Sequence, residues 1–269
     1  MYIIADIGGT KMRIARASEL NKFDEPTVEV TPHSYDEALA LFISAAKNFA
    51  GNQDIDAVVI GIPAVLAPDK RSILKSQNLS EWGGHSFADD LEKALNTKVY
   101  LENDTALVGL GEAVHGAGKG TGIVAYITVS TGVNGARIID GVIDNAHLGF
   151  EIGGQYLSCD DKLVTLESLI SGNAIHEKQG VHPRELGADW KGWEDLAYVA
   201  AVGIHNTILH WSPERVVLGG SMFNEIGISV ESVKRHVTEM MKKFPQVPEI
   251  AHSTLHDEGG LYGALARIK

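Results

Sequence analysis

Five residues near the start of the chain, Asp6, Gly8, Gly9, Thr10 and Lys11, have types and spacing suited to holding phosphate. The apolar run Tyr2 to Ile7 leads into them as a buried-type strand. The two glycines reach backbone angles closed to other residues and let a ligand approach the main chain, while the Thr10 hydroxyl, the local N–H groups and Lys11 supply donors. Asp6, at the carboxyl end of the strand, can hold a hydrated Mg²⁺. Met12 to Ala17 then alternates apolar and polar residues, so the turn reads as a hairpin tip and not as a strand-to-helix loop. Neither G-x-x-x-x-G-K-[ST] nor G-x-G-x-x-G occurs here, which argues against a P-loop and a dinucleotide fingerprint. The same order also suits a plain Gly-Gly hairpin.

A second group is Glu102-Asn103-Asp104-Thr105, at the end of a short strand, where open α/β sheets present their ligand sites. Asn103 can both donate to and accept from a hydroxyl, and the Asp104 carboxylate can take the proton of a hydroxyl attacking phosphate. Asp104 is equally placed to cap the helix that follows. Glu151 sits among glycines, where it can bind paired hydroxyls or serve as a solvated turn acid. Glu167 opens a helix, where the helix dipole alone favours an acid. Gly219 and Gly220 follow a buried strand and permit close approach of a flat or phosphorylated ligand. Asp160-Asp161 reads as a solvated loop, and no H-E-x-x-H or G-x-S-x-G occurs.

The elements that must position these residues are legible from periodicity. Strands are expected to Ile7, over 12–17, 27–31, 56–62 and 98–101, with helices at 35–50, 87–95 and 104–114. After a flexible Gly118 to Gly122 come strands at 123–129 and 135–139. They are separated by Ser130-Thr131-Gly132-Val133-Asn134, which repeats the opening plan of strand, hydroxyl-glycine turn and strand. Helices follow at 166 to about 175, at 193–211 and from about 229 to 244, with strands at 215–218 and 249–251 and a closing helix at 260–268. The order is that of an α/β protein, and two halves that each open on such a hairpin predict a cleft gripping phosphates from both sides.

With 269 residues, 44% hydrophobic and 22% charged, the chain is long enough for two domains and carries no apolar span suited to a membrane. A net charge of −12 disfavours nonspecific binding of nucleic acid. One cysteine, Cys159, excludes an internal disulfide and a multi-cysteine zinc site, and agrees with a cytoplasmic location. The N-terminus lacks the pattern of a secretory signal.

Taken in order, Asp6 to Lys11, Gly61-Ile62-Pro63, Asn78 to Trp82, Glu102 to Thr105, Ser130 to Gly132, Glu151 to Gly153, Leu166 to Gly172 and Leu218 to Gly220 resemble the ROK family of sugar kinases. The likeness covers nearly the whole chain. It implies an α/β, two-lobed, actin/Hsp70-like (ribonuclease H-like) ATPase fold with an interdomain cleft. The small lobe would be 1–115 with the C-terminal helix at about 257–269, and the larger lobe 116–256. It further implies ATP-dependent phosphorylation of a hexose, usually at the C6 hydroxyl, with glucose the default acceptor and N-acetylhexosamine, mannose or fructose the alternatives. Asp104 matches the catalytic base. Asn78, Asn103, Asp104, Glu151, Gly154 and Glu167 fall at the sugar-binding positions; Gly8, Gly9, Thr10, Lys11, Thr131, Gly132, Gly219 and Gly220 match the ATP-binding ones. Asp6 would place Mg²⁺, and a homodimer is the assembly seen often in the family.

The chain also departs from the pattern. Gly154 stands where many members have a histidine that touches sugar and ligates zinc, and the 155–165 segment has no C-x-C-G-x-x-G-C, so no zinc is expected. Ala64 stands where glycine often follows the proline. The departures leave a noncatalytic sugar sensor of the same fold as the competing expectation. Because the sequence opens on the phosphate hairpin, an N-terminal DNA-binding domain like that of the family's repressors is not expected.

Overall fold

A computed structural model describes residues 1–144, 146–159, 162–224 and 227–268. The chain divides into two compact units, one of 1–114, 146–149 and 257–268, the other of His115–Asp144 and Phe150–His256.

In the first unit, β1 (Tyr2–Ile7), β2 (Lys11–Ala17) and β3 (Thr27–Val30) form an antiparallel meander. Helix α1 (Tyr35–Ala50) then leads to β4 (Ala57–Ile62), every residue of which is buried. Two short strands, β5 (Val65–Leu66) and β6 (Ile73–Lys75), precede α2 (Phe87–Leu95), β7 (Lys98–Asn103) and α3 (Asp104–Val114). The sheet order is β3-β2-β1-β4-β7, with β4 parallel to both β1 and β7. The period of two decides its faces. Ile3, Ala5, Ile7, Val58, Ile60 and Ile62 pack into one core with Phe42, Ala46, Phe87 and Leu91 of α1 and α2. Asp6 and Gly61, paired in register, face the other side, where α3 lies against the C-terminal helix Gly259–Ile268.

The second unit repeats the plan with β8 (Ile123–Val129), β9 (Val133–Ile139) and β10 (Val142–Ile143) antiparallel in sequence. A hairpin of β11 (Tyr156–Cys159) and β12 (Lys162–Thr165) follows, then α4 (Leu166–Ile170), α5 (Gly172–Gln179) and the long α6 (Gly192–Trp211). The unit ends with β13 (Arg215–Gly219), α7 (Ser221–Asn224), α8 (Val230–Met240) and β14 (Glu249–His252). The sheet order β10-β9-β8-β13-β14 has β13 parallel to β8 and β14.

Four expectations are corrected. The single helix expected over 166 to about 175 is two helices, because Ser171 takes an extended backbone (φ −67°, ψ 155°) and its hydroxyl accepts a hydrogen bond from Ala174 N–H, capping the second. The helix expected to run to 244 ends at Met240, before an extended Met241. Strand β9 begins at Val133, two residues earlier than its alternation indicated. The 155–165 segment, read as a loop, forms the β11–β12 hairpin; Asp160 and Asp161 lie outside the described residues.

Candidate functional site

In the first unit the β1–β2 turn is tight. Gly8 N–H donates to Lys11 C=O at 2.8 Å, and Asn78 packs so closely on the turn that a Cβ on Gly9 would lie 2.8 Å from Asn78 Cβ. The turn proposed for phosphate and the Asn78 proposed for sugar are therefore in contact. Asn103 and Asp104 share the β7–α3 junction, and the capping question is answered there. Asn103 Oδ1 accepts from Ala106 N–H at 3.2 Å, so Asn103 is the cap and Asp104 is the first helical residue. Asn103 Nδ2 also donates to Ala64 C=O at 3.3 Å, and Ser76 Oγ donates to the neighbouring Pro63 C=O at 2.7 Å while accepting from Leu79 N–H. These bonds draw the Pro63-Ala64 corner, Asn78 and Asn103 into one locality.

Asp104 Oδ1 accepts from Thr105 N–H at 2.7 Å. Burial raises the Asp104 carboxyl above its ordinary value, opposed by the Thr105 hydrogen bonds. Asp6 is close by: a methyl on Gly61 would sit 3.3 Å from Asp104 Cα and 3.6 Å from Asp6 Oδ1, and one on Gly260 would sit 2.7 Å from Asp6 Cγ. Burial first, and then the Asp104 charge, push Asp6 up to about 7 against the pull of Arg13. Arg13 is itself engaged with Asp257 at 2.6 Å. Two desolvated carboxylates with one shared-out cation form a locus that favours a proton or a metal dication. Among the described residues no three His, Cys, Asp or Glu side chains group as a metal cage. Asp6 and Asp104 offer carboxylate oxygens, the donor type Mg²⁺ takes when water completes its coordination.

Behind Asn103 lies Glu102, almost fully buried, with Lys70 Nζ at 2.6 Å from one oxygen and Arg267 Nε at 2.8 Å from the other. The Arg267 guanidinium lies 5.1 Å from the Tyr100 ring. A buried carboxylate held by cations from two other segments fixes the end of β7 against the loop near 70 and the C-terminal helix.

In the second unit, the parallel β8–β13 pairing places Gly219 opposite Thr128 and so brings the Gly219-Gly220 turn beside the start of the Ser130 to Gly132 turn. Gly220 has φ +94°, and any side chain there would collide with Val129 C=O. Ser130 N–H donates to Gly132 C=O at 2.8 Å, and Gly172 N–H of α5 donates to Ser130 C=O at 2.7 Å. Glu167 reaches the same turn: its Oε2 accepts from Val133 N–H at 2.8 Å. Thus Thr131, Gly132, Gly219, Gly220 and Glu167 converge.

Glu151 is exposed at the entry to the 152–154 turn and lines a pocket of about 320 Å³ with Gln155, Tyr156, Asn206, His210 and Trp211 among its other walls. Gln155 holds this turn. Its Nε2 donates to Ile152 C=O at 3.0 Å, its Oε1 accepts from Asn206 Nδ2 at 3.2 Å, and its C=O accepts from Leu166 N–H at 2.9 Å. A Cβ on Gly154 would meet nothing within 4 Å.

The model of the ROK family matches residues 2–269. The chain belongs to the ROK family. A glucokinase of Thermotoga maritima is 23% identical, with 98% of this chain and 96% of that protein covered. Among solved structures, a ROK hexokinase from Thermus thermophilus superposes with a TM-score of 0.84 at 24% identity, covering 98% of this chain and 97% of that one. A ROK family glucokinase from Streptomyces griseus, in complex with glucose and AMPPNP, gives 0.81 at 22% identity over 100% and 99%. The actin/Hsp70-like fold expected from the sequence is the fold of this ROK chain. Sequence reasoning missed Gly260 and Arg267 beside the carboxylates, Ser76 at the Pro63 corner and Gln155 under the Glu151 turn. Gly260 alone had a visible signal, a Gly-Gly pair opening the last helix; the others are ordinary polar residues until the chain brings them together.

Proposed function

We propose that this ROK protein is an ATP-dependent hexose kinase, with the C6 hydroxyl as acceptor and glucose as the first sugar to test. The observation that carries the reading is the pair Asp6 and Asp104: Asn103 takes over the capping of α3, so the Asp104 carboxylate is left as a desolvated acid beside a second one. A carboxylate with a raised pKa is a better proton acceptor than an ordinary one.

In the proposed reaction the sugar hydroxyl oxygen forms a bond to the γ-phosphorus, the bond from that phosphorus to the β–γ bridging oxygen breaks, and the hydroxyl proton passes to Asp104. The products are sugar phosphate and ADP. Asn103 and Asn78 orient the acceptor, with Glu151 binding its other hydroxyls. Gly8 to Lys11 and, in the second unit, Thr131-Gly132 supply donors to the phosphates, while Gly219-Gly220 admit the nucleotide. Asp6 would hold Mg²⁺ through water; when bound, the ion supplies charge neutralisation of the phosphates. Glu167 acts in this reading on the 130–133 turn and, through it, on phosphate. The protein is expected to carry no zinc and to act in the cytoplasm, and elemental analysis showing one zinc per chain would overturn the first of these. Among the described residues no helix is long and apolar enough to cross a membrane.

The test is coupled detection of ADP with glucose, mannose, fructose, N-acetylglucosamine and N-acetylmannosamine. Sugar-dependent ADP release from one of them is the expected result. Release from none of them, with sugar binding still measurable, would replace the kinase with a sugar sensor.

A further inference from the structure

Thr31 is one of the few buried polar residues of the first unit, 2% exposed, and no step of the proposed reaction uses it. It stands just beyond β3, where its two polar groups on the donor side both reach the β1–β2 turn. Thr31 Oγ1 donates to Gly8 C=O at 2.8 Å, and Thr31 N–H donates to Thr10 C=O at 3.0 Å. The remaining tie within the turn is Gly8 N–H to Lys11 C=O at 2.8 Å. Three carbonyl oxygens of the turn, those of Gly8, Thr10 and Lys11, are thereby occupied by the protein's own donors. The segment that carries Thr31 is itself held, since the buried Trp82 Nε1 donates to Pro32 C=O and His33 C=O at 3.3 and 3.1 Å.

We propose that Thr31 is a positioning residue that pins the Gly8 and Thr10 carbonyls inward, so that the turn presents its N–H groups, and not its carbonyl oxygens, to the phosphates of a nucleotide. The proposal rests on the reading of this turn as an ATP-phosphate site. The physical reason is electrostatic. A peptide group has a positive and a negative end, and an anion is attracted to a turn only if the carbonyl ends are turned away from it. A Gly8 carbonyl released from the Thr31 hydroxyl has lost a buried partner and gains by swinging toward solvent, where its oxygen would oppose a phosphate oxygen. Binding that depends on the phosphates is affected and binding of the uncharged part of the nucleotide is not.

The variants Thr31→Val, which keeps the shape and the main-chain N–H but loses the hydroxyl, and Thr31→Ser, which keeps the hydroxyl, separate this role from plain packing. Calorimetric titration with AMPPNP and Mg²⁺ should show Kd raised about tenfold in Thr31→Val. The Thr31→Ser value should stay within about twofold of wild type, and adenosine should bind all three proteins alike. Wild-type affinity for AMPPNP in Thr31→Val, or equal losses for AMPPNP and adenosine, would overturn the inference while leaving the ATP-site reading intact. A wild-type protein that binds adenosine no more weakly than AMPPNP would show that the phosphates are not held at all, and both readings would fall together.

Discussion

At the scale of single residues, the informative result is a division of labour between neighbours. Asn103 and Asp104 are chemically alike as helix caps, and the structure gives the cap to Asn103, whose Oδ1 accepts from Ala106 N–H. Asp104 is left with a raised pKa. Asp104→Asn should accordingly lower the rate of phosphoryl transfer by about 10²- to 10⁴-fold, the usual contribution of a positioned base, with sugar affinity by calorimetry little changed. Asp6, pushed up to about 7, binds either a proton or the metal, so the two compete. Sugar-dependent ADP release should therefore fall as pH drops through about 7 at low Mg²⁺, and that acid limb should move to lower pH when Mg²⁺ is raised. A limb that stays fixed would remove Asp6 from the metal's surroundings. Gly154 makes the opposite kind of prediction. Its Cβ position is open, so Gly154→His should fold with stability within about 0.5 kcal/mol of the parent by urea denaturation, and any change in sugar preference can then be read without a folding defect.

Among elements, α3 and the C-terminal helix have the closest packing of the first unit. Cβ atoms placed on Gly111 and Gly263 would strike the backbone of the other helix, at Gly259 C=O and Leu107 C=O respectively. Backbone atoms cannot rotate away as side chains can, so Gly263→Ala should cost about 3 kcal/mol in urea denaturation. Asp104 opens α3, and Asp6 lies against Gly260 of the C-terminal helix, so the same substitution should also depress activity in the protein that remains folded. The contrast between α3 and the α4–α5 pair shows how far elements can be read from a sequence. Helix α3 was legible to its ends because an acidic, hydroxyl-bearing start and an apolar period agreed. The α4–α5 break was not, because Ser171 and Gly172 also occur within helices; the turn is imposed by the bond from Gly172 N–H to Ser130 C=O, 42 residues away in sequence.

For the whole molecule, charge and pH matter in combination. A carboxyl raised from its ordinary value of 3.8 to about 7 binds more protons in the folded than in the unfolded state between those values. Its contribution to stability is therefore fully present below about pH 4 and is lost as pH rises toward 7. The urea midpoint of Asp6→Asn should decline less than that of wild type over this interval in the absence of Mg²⁺; parallel profiles would mean that the Asp6 environment is not desolvated. The sequence by itself determined the two hydroxyl-glycine hairpins, the strand and helix alternation, the family resemblance and most of the candidate residues. These are local signals, written in spacing and in backbone permissiveness. Only the tertiary structure decided that Asn103 caps α3, that Glu167 bonds to Val133 N–H in the 130–133 turn, that Asp6 adjoins Asp104 and Gly260, and that Thr31 holds the first turn. Each of those facts depends on groups brought together by sheet register and helix packing, and desolvation and close approach, which set their chemistry, do not exist until the chain has folded.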